Sequence, residues 1–206
     1  MAKAVLISIR PQWVEKILSG EKTVEIRKSV PKLKTPFKCY IYCTKAKAGK
    51  SHQYDAFGVN GKPVECGGKV VAEFICDEIK YHGKEGLIVK EDAERALAGS
   101  CLTRKQIIDY LGGKNTDYAY DSNRFNFCGW HISDLKVYDK PKELCEFTKY
   151  SENDIRPCEH YGECKYEYYD YSEDCRACGI DFDGENCPFI KLQRPPQSWC
   201  YVEDSQ

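Results

Sequence analysis

The first 27 residues change their hydrophobic period twice, and each change predicts a new element. The run 4–9 (A-V-L-I-S-I) is apolar and rich in β-branched residues, which predicts a buried first strand. Residues 11–19 carry apolar side chains at helical spacing, and Pro11 suits the first turn of a helix. Gly20 fits a left-handed cap at the end of that helix.

The next stretch, 23–27, has the period of a strand. Its apolar residues face one way, whereas Glu25 and Arg27 face the other. Lys22 comes just before the strand and is predicted to lie beside the strand face that carries Glu25 and Arg27. Three ionic side chains are therefore predicted to lie together, either as a site for a polar ligand or as ion pairs on a solvated strand face.

The remaining pattern predicts a sheet-rich domain with few helices. The sequence Asn60-Gly61 predicts a turn, in a hairpin or an inserted loop. A helix at 102–111 is expected to have Thr103 as its N-cap and to stop at the glycines that follow. The other predicted elements are a helix at 91–98 and strands at 37–44, 69–81, 125–138 and 199–203.

The three ionic residues belong to an eight-residue sequence, G-E-K-T-V-E-I-R at 20–27, which follows S-I-R-P-Q-W-V-E-K-I-L-S. It matches the pattern G-x-K-x-x-E-x-R and resembles the opening of an ASCH domain, a member of the PUA-like superfamily. Two later segments are similar to that family as well, G-W-H-I-S-D-L at 129–135 and R-P-P-Q-S-W-C-Y-V-E at 194–203. The resemblance covers most of the chain except roughly 148–191.

The resemblance implies an α+β fold, a small PUA-like β-barrel with flanking helices formed by residues 1–147 and 192–206. It also implies a cleft that binds RNA or another nucleic acid, or a nucleotide-like small molecule. Lys22 and Arg27 would contact phosphate, and Glu25 would accept from a base edge or orient Arg27. Arg10 could clamp a phosphate or a carboxylate with its planar guanidinium, and Trp13 could stack on a base or simply pack the helix.

The same resemblance leaves open that the protein is an enzyme. Some small ASCH proteins are amidohydrolases that act on acylated cytidine, in which a Lys activates a Thr nucleophile and a Glu assists, and others are nucleases. Lys22 matches that lysine, but Glu25 stands where the threonine falls, and Glu94 is a poor match for the assisting glutamate. Lys22 and Glu25 could instead act as general acid and base on a phosphodiester. A third reading is a zinc-stabilised adaptor with no ligand of its own.

The composition agrees with a globular domain but does not by itself favour nucleic-acid binding. The 206 residues, 31% charged and 42% hydrophobic, fit one medium-sized globular domain with an appendage. The net charge of -1 does not favour a general phosphate binder, although the first fifty residues are rich in Lys and Arg whereas 152–185 are mainly acidic. No apolar run is long enough to cross a bilayer, and the start of the chain is unlike a signal peptide. We therefore expect a cytoplasmic protein without membrane contact.

The 13 cysteines, expected to be reduced in the cytoplasm, favour a metal site over disulfides. The segment 148–191 is poor in aliphatic residues, so it needs a cross-link such as a bound metal ion to become ordered. Its spacing Cys-x-x-Cys is a good chelating pair for a structural Zn²⁺, with His160 as another candidate ligand. An iron–sulfur cluster or free thiols are the alternatives. The five candidate thiolates are Cys158, Cys164, Cys175, Cys178 and Cys187.

Overall fold

The computed structural model describes residues 2–45, 56–59, 62–82, 97–111, 127–150 and 191–204. Most of the predicted helix at 91–98 and all five candidate zinc ligands lie outside these ranges. Within them the elements are β1 Lys3–Ile9, α1 Pro11–Leu18, β2 Val24–Arg27, β3 Phe37–Cys43, β4 Ala56–Val59, β5 Lys62–Glu65, β6 Val70–Cys76, β7 Ile79–His82, α2 Arg104–Leu111, β8 Phe127–His131, β9 Ser133–Lys142, a 3-10 turn at Leu144–Glu146 and β10 Trp199–Glu203.

The largest sheet has the strand order β10-β1-β3-β6-β9. β1 lies inside it, parallel to β3 and antiparallel to β10. Val5 and Ile7 point into the main core, whereas Ala4 and Leu6 point into a second apolar cluster on the other side of the sheet. Both faces of β1 are thus buried, which explains why its sequence is continuously apolar instead of alternating.

A second sheet, with the order β2-β8-β7, packs on the first. Trp130 of β8 is fully buried, and its ring meets that of Phe37 on β3 edge to face, with the centroids 5.9 Å apart. β4 and β5 pair as a short antiparallel hairpin in which Val59 lies opposite Lys62, while the predicted turn at Asn60-Gly61 lies outside the described residues. Because β2 belongs to this second sheet, its polar face can lie against the end of β1 in the first.

Two strands that the sequence predicts as continuous are each divided between the sheets. The run 69–81 forms β6 in the first sheet and β7 in the second, and the run 125–138 forms β8 in the second and β9 in the first. The chain bends at each change of sheet, and Asp134 adopts a positive φ of 47° near the second one. The predicted closed barrel is not formed by the described strands, since β10 and β9 remain the edges of the larger sheet.

The ends of the helices follow the sequence closely. α1 begins at Pro11, and Gly20 has a φ of 78°, the predicted left-handed cap. At the start of α2 the backbone N–H of Gln106 donates to the Thr103 hydroxyl (3.3 Å), and the N–H of Thr103 donates to the Gln106 side chain (2.8 Å). No helix in the described ranges is long and apolar enough to span a membrane.

Candidate functional site

A cavity of about 720 Å³ lies between the start of α1, strand β2, helix α2 and the segment before β10. Its lining contains all five ligand-binding residues predicted from the sequence, namely Arg10, Trp13, Lys22, Glu25 and Arg27. The predicted ion pairs are formed, but the interpretation as a solvated strand face is wrong, because a hollow lies beside these side chains and the three ionic ones are almost wholly buried.

Glu25 is the centre of a buried ionic cluster. One of its carboxylate oxygens lies 3.3 Å from the Lys22 ammonium, and the other lies 3.0 Å from Nη2 of Arg27. The side chains of all three residues are at most 9% exposed. Two cations and one carboxylate leave a net charge of +1 in a place where water screens poorly. The cluster is therefore suited to an anion that enters the cavity.

Lys22 is held at three points. Its ammonium donates to the carbonyl oxygens of Val24 and Ser100, each at 2.7 Å, and it pairs with Glu25, so all three N–H groups are engaged. The Ser100 carbonyl is brought there by Gly99, whose own carbonyl accepts from the backbone of β2. Gly99 has a φ of 76°, and a Cβ there would lie 2.3 Å from the Thr23 hydroxyl, so the close approach requires glycine.

Arg27 connects strand β2 to two distant parts of the chain. Its Nη2 donates to the carbonyl oxygen of Ser8 (2.6 Å), and its Nη1 donates to the hydroxyl of Ser198 (3.2 Å). Ser8 in turn fixes the segment before β10, because its backbone N–H donates to the Ser198 carbonyl and its hydroxyl donates to the Pro196 carbonyl. Nε of Arg27 is buried and has no hydrogen-bond partner in the described part of the chain.

The mouth of the cavity carries polar and aromatic groups. Arg10 precedes α1 and is exposed, and α2 contributes Gln106, Asp109 and Tyr110 on the opposite wall. The ammonium of Lys28 lies 5.1 Å from the centre of the Tyr110 ring. Burial raises the pKa of Tyr110, so its hydroxyl stays protonated and can donate a hydrogen bond. The opening thus offers a cation, a carboxylate and flat apolar surface.

Several residues of this site are missed by sequence reasoning. The segment 194–203 is recognised only as similar to a family, and nothing local shows that Ser198 would meet Arg27. The wall formed by Asp109 and Tyr110 has no signal in the sequence beyond a helical period. His131 is not part of the cavity lining, and its Nδ1 lies 2.7 Å from a carboxylate oxygen of Asp77.

The described residues contain no group of three or more His, Cys, Asp or Glu side chains that could hold a metal ion. The zinc prediction concerns residues 158–187, outside the described ranges, and so stays a prediction.

Comparisons with known proteins bear on the fold. No protein-family model and no curated protein matches the chain. Among solved structures, the ASCH protein from Zymomonas mobilis is similar over 97% of this chain and 87% of its own, with a TM-score of 0.50 and 16% sequence identity. A serine-to-alanine mutant of that protein is similar over 97% and 88%, with a TM-score of 0.50 and 15% identity. The chain therefore has the sheet-rich fold with few helices of these ASCH proteins, which confirms the predicted fold except for the closed barrel.

Proposed function

We propose that the cavity binds a nucleotide unit of nucleic acid, in the first place RNA. The observation that carries this proposal is the buried Lys22–Glu25–Arg27 cluster beside a cavity of about 720 Å³. Buried charges are costly unless they are paired, and this cluster holds one cation more than it has carboxylates. A phosphate supplies the missing negative charge.

The size and lining of the cavity fit a nucleotide. Pockets for small ligands usually measure about 300–1,000 Å³ and combine apolar walls with a few polar groups. Trp13 and Tyr110 offer ring faces on which a base can stack, and such stacking accepts any base. The Gln106 amide offers hydrogen-bonding groups for the edge of a base or for ribose hydroxyls. Binding would therefore depend on charge and stacking together.

The contacts suggest different roles for the five predicted residues. Arg10, exposed at the mouth, is free to contact phosphate with its planar guanidinium. Lys22 attracts the phosphate through its charge, because its three N–H groups already have acceptors. Glu25 holds Lys22 and Arg27 in place and does not itself meet the phosphate. Trp13 lies with its ring centre 5.7 Å from the Lys22 ammonium and provides a stacking surface.

The test measures the affinity of labelled single-stranded RNA by fluorescence anisotropy at several salt concentrations. Replacing Arg10 by Ala should weaken binding by about 10- to 100-fold, the value of a hydrogen bond to a charged group, and should reduce the salt slope by about one. Lys140→Ala is the matched control, because it removes the same charge from the exposed edge strand β9. The proposal fails if RNA, DNA and mononucleotides all leave the anisotropy unchanged at low salt.

A hydrolase and an adaptor remain the alternatives. Lys22 is poorly placed to activate a nucleophile because its ammonium is fully engaged, and Glu25 occupies the position where a threonine would be needed. Incubating the bound RNA and acylated nucleosides with wild type and with Glu25→Gln decides the matter. Turnover by wild type alone would assign a hydrolase, and absence of both turnover and binding would leave the adaptor.

We also propose that the segment 148–191 binds one structural Zn²⁺. The support is the sequence: Cys175 and Cys178 form a chelating pair, and Cys158, Cys164 and Cys187 supply further thiolates. Native mass spectrometry should find about one zinc per chain, released by a strong chelator together with a loss of protease resistance in this segment. A native mass equal to that of the bare chain would exclude the site.

A further inference from the structure

A second hollow, of about 410 Å³, adjoins the ligand cavity. Thr44 and Pro195 line both hollows, so the two hollows are direct neighbours that share part of their walls. Tyr42, Lys45 and Gly68 form much of the second hollow. Neither the ionic cluster nor the sequence pattern accounts for a second space at this position.

The aliphatic part of Lys45 packs closely on Gly68. A Cβ on Gly68 would lie 2.7 Å from Cε and 3.2 Å from Cγ of Lys45, so the aliphatic part of the lysine lies directly on the glycine backbone. Gly68 also has a φ of 86°, which favours glycine for a second reason. Its turn is fixed to β3, because the N–H of Gly68 donates to the Cys43 carbonyl and the N–H of Cys43 donates to the Lys69 carbonyl. Lys45 thus packs its aliphatic stem on a fixed turn, and the side chain as a whole is exposed beside the second hollow.

We propose that this second hollow is a subsite for the next nucleotide of a single-stranded nucleic acid, with Lys45 contacting the backbone phosphate. The inference rests on the function proposed above. Two adjoining spaces, one beside Arg10 and Arg27 and the other beside Lys45, fit a ligand that repeats an anionic group along its length. The Thr44 hydroxyl, on the boundary, can donate to the phosphate that joins the two units.

The strand must be unpaired where it enters the cavity. The first cavity has walls on α1 and on α2, so a base reaches Trp13 and Tyr110 only by leaving its partner. Extracting a base from a duplex costs a few kcal/mol of stacking and pairing, whereas a single strand pays little of this. Single-stranded RNA or DNA should therefore bind more tightly than the corresponding duplex.

The experiment compares a mononucleotide, a dinucleotide and a labelled single-stranded oligonucleotide as ligands of the full chain. The dinucleotide should bind several-fold more tightly than the mononucleotide. Lys45→Ala should weaken the dinucleotide and the oligonucleotide by about 10-fold, the value of one charge-assisted contact, without changing the affinity for the mononucleotide. Arg10→Ala should weaken all three ligands, and Lys140→Ala should weaken none.

The outcomes separate the two proposals. Equal affinities for mononucleotide and dinucleotide, or an oligonucleotide affinity unchanged in Lys45→Ala, would overturn the second subsite and leave the proposed function intact. A duplex that binds as tightly as the single strand would overturn the requirement for an unpaired base. Loss of binding by every ligand to wild type would overturn the proposed function itself. Thermal melting of each variant checks that the fold is retained, which is expected because Lys45 is exposed.

Discussion

Replacing Lys22 by Met removes the ammonium while keeping nearly the same side-chain volume. The change leaves two carbonyl acceptors, those of Val24 and Ser100, without their donor, and it removes one of the two cations paired with Glu25. An unsatisfied buried acceptor costs about 1–3 kcal/mol. Glu25 keeps its ion pair with Arg27, so no buried carboxylate is left without a cation, and the two acceptors together give an expected loss of about 2–6 kcal/mol in the free energy of unfolding.

Urea unfolding followed by tryptophan fluorescence measures this loss. With a slope of about 2 kcal/mol per molar, the midpoint should fall by roughly 2 M while the slope stays unchanged. Lys16→Met is the control, because Lys16 lies 2.7 Å from Glu21 but that pair is exposed. Exposed ion pairs contribute little, so the control should shift the midpoint far less. Equal shifts in the two variants would refute the idea that Lys22 is a structural centre of the site.

Three further predictions follow from the site and the core. Asp109→Asn removes a negative charge from the cavity lining and should therefore strengthen the binding of an anionic ligand severalfold, as measured by anisotropy. Weaker binding would contradict this and would mean that the carboxylate contacts the ligand directly. Gly99→Ala should destabilise the fold by at least about 1 kcal/mol in urea, since the positive φ and the Thr23 contact exclude a Cβ, and unchanged stability would contradict this. Burial raises the pKa of Cys43 and of Cys76 to about 12, so both thiols should stay protonated at pH 8. They should react with iodoacetamide far more slowly than exposed Cys145, as measured by mass spectrometry of the labelled peptides. Equal rates of labelling would contradict this prediction.

The ionic cluster has two consequences for the same residues. It anchors β2 to β1 and to the loop that carries Ser100, and it leaves one positive charge beside the cavity. Variants of Lys22 or Arg27 will therefore lower stability as well as affinity. Arg10 and Lys45 are better probes of binding, since both are exposed and neither belongs to the buried network.

The sequence by itself determined the elements whose signals are local. The change from helical to strand period placed Glu25 and Arg27 on one face, and Gly20 and Thr103 marked the ends of helices as the structure has them. These features depend on residues a few positions apart, and such short-range preferences can be judged without knowing the fold.

Tertiary structure alone decided that the charged face would be buried beside a cavity. Ser198 lies 171 residues from Arg27 in sequence and Ser100 lies 78 residues from Lys22, yet these pairs hold the cluster in place. The division of 69–81 into β6 and β7 has the same origin, because Asp77 and Glu78 interrupt the apolar pattern between the strands but do not tell which sheet each half will join. Pairing between strands that are far apart in sequence decides which side chains become neighbours, and this pairing depends on the whole chain.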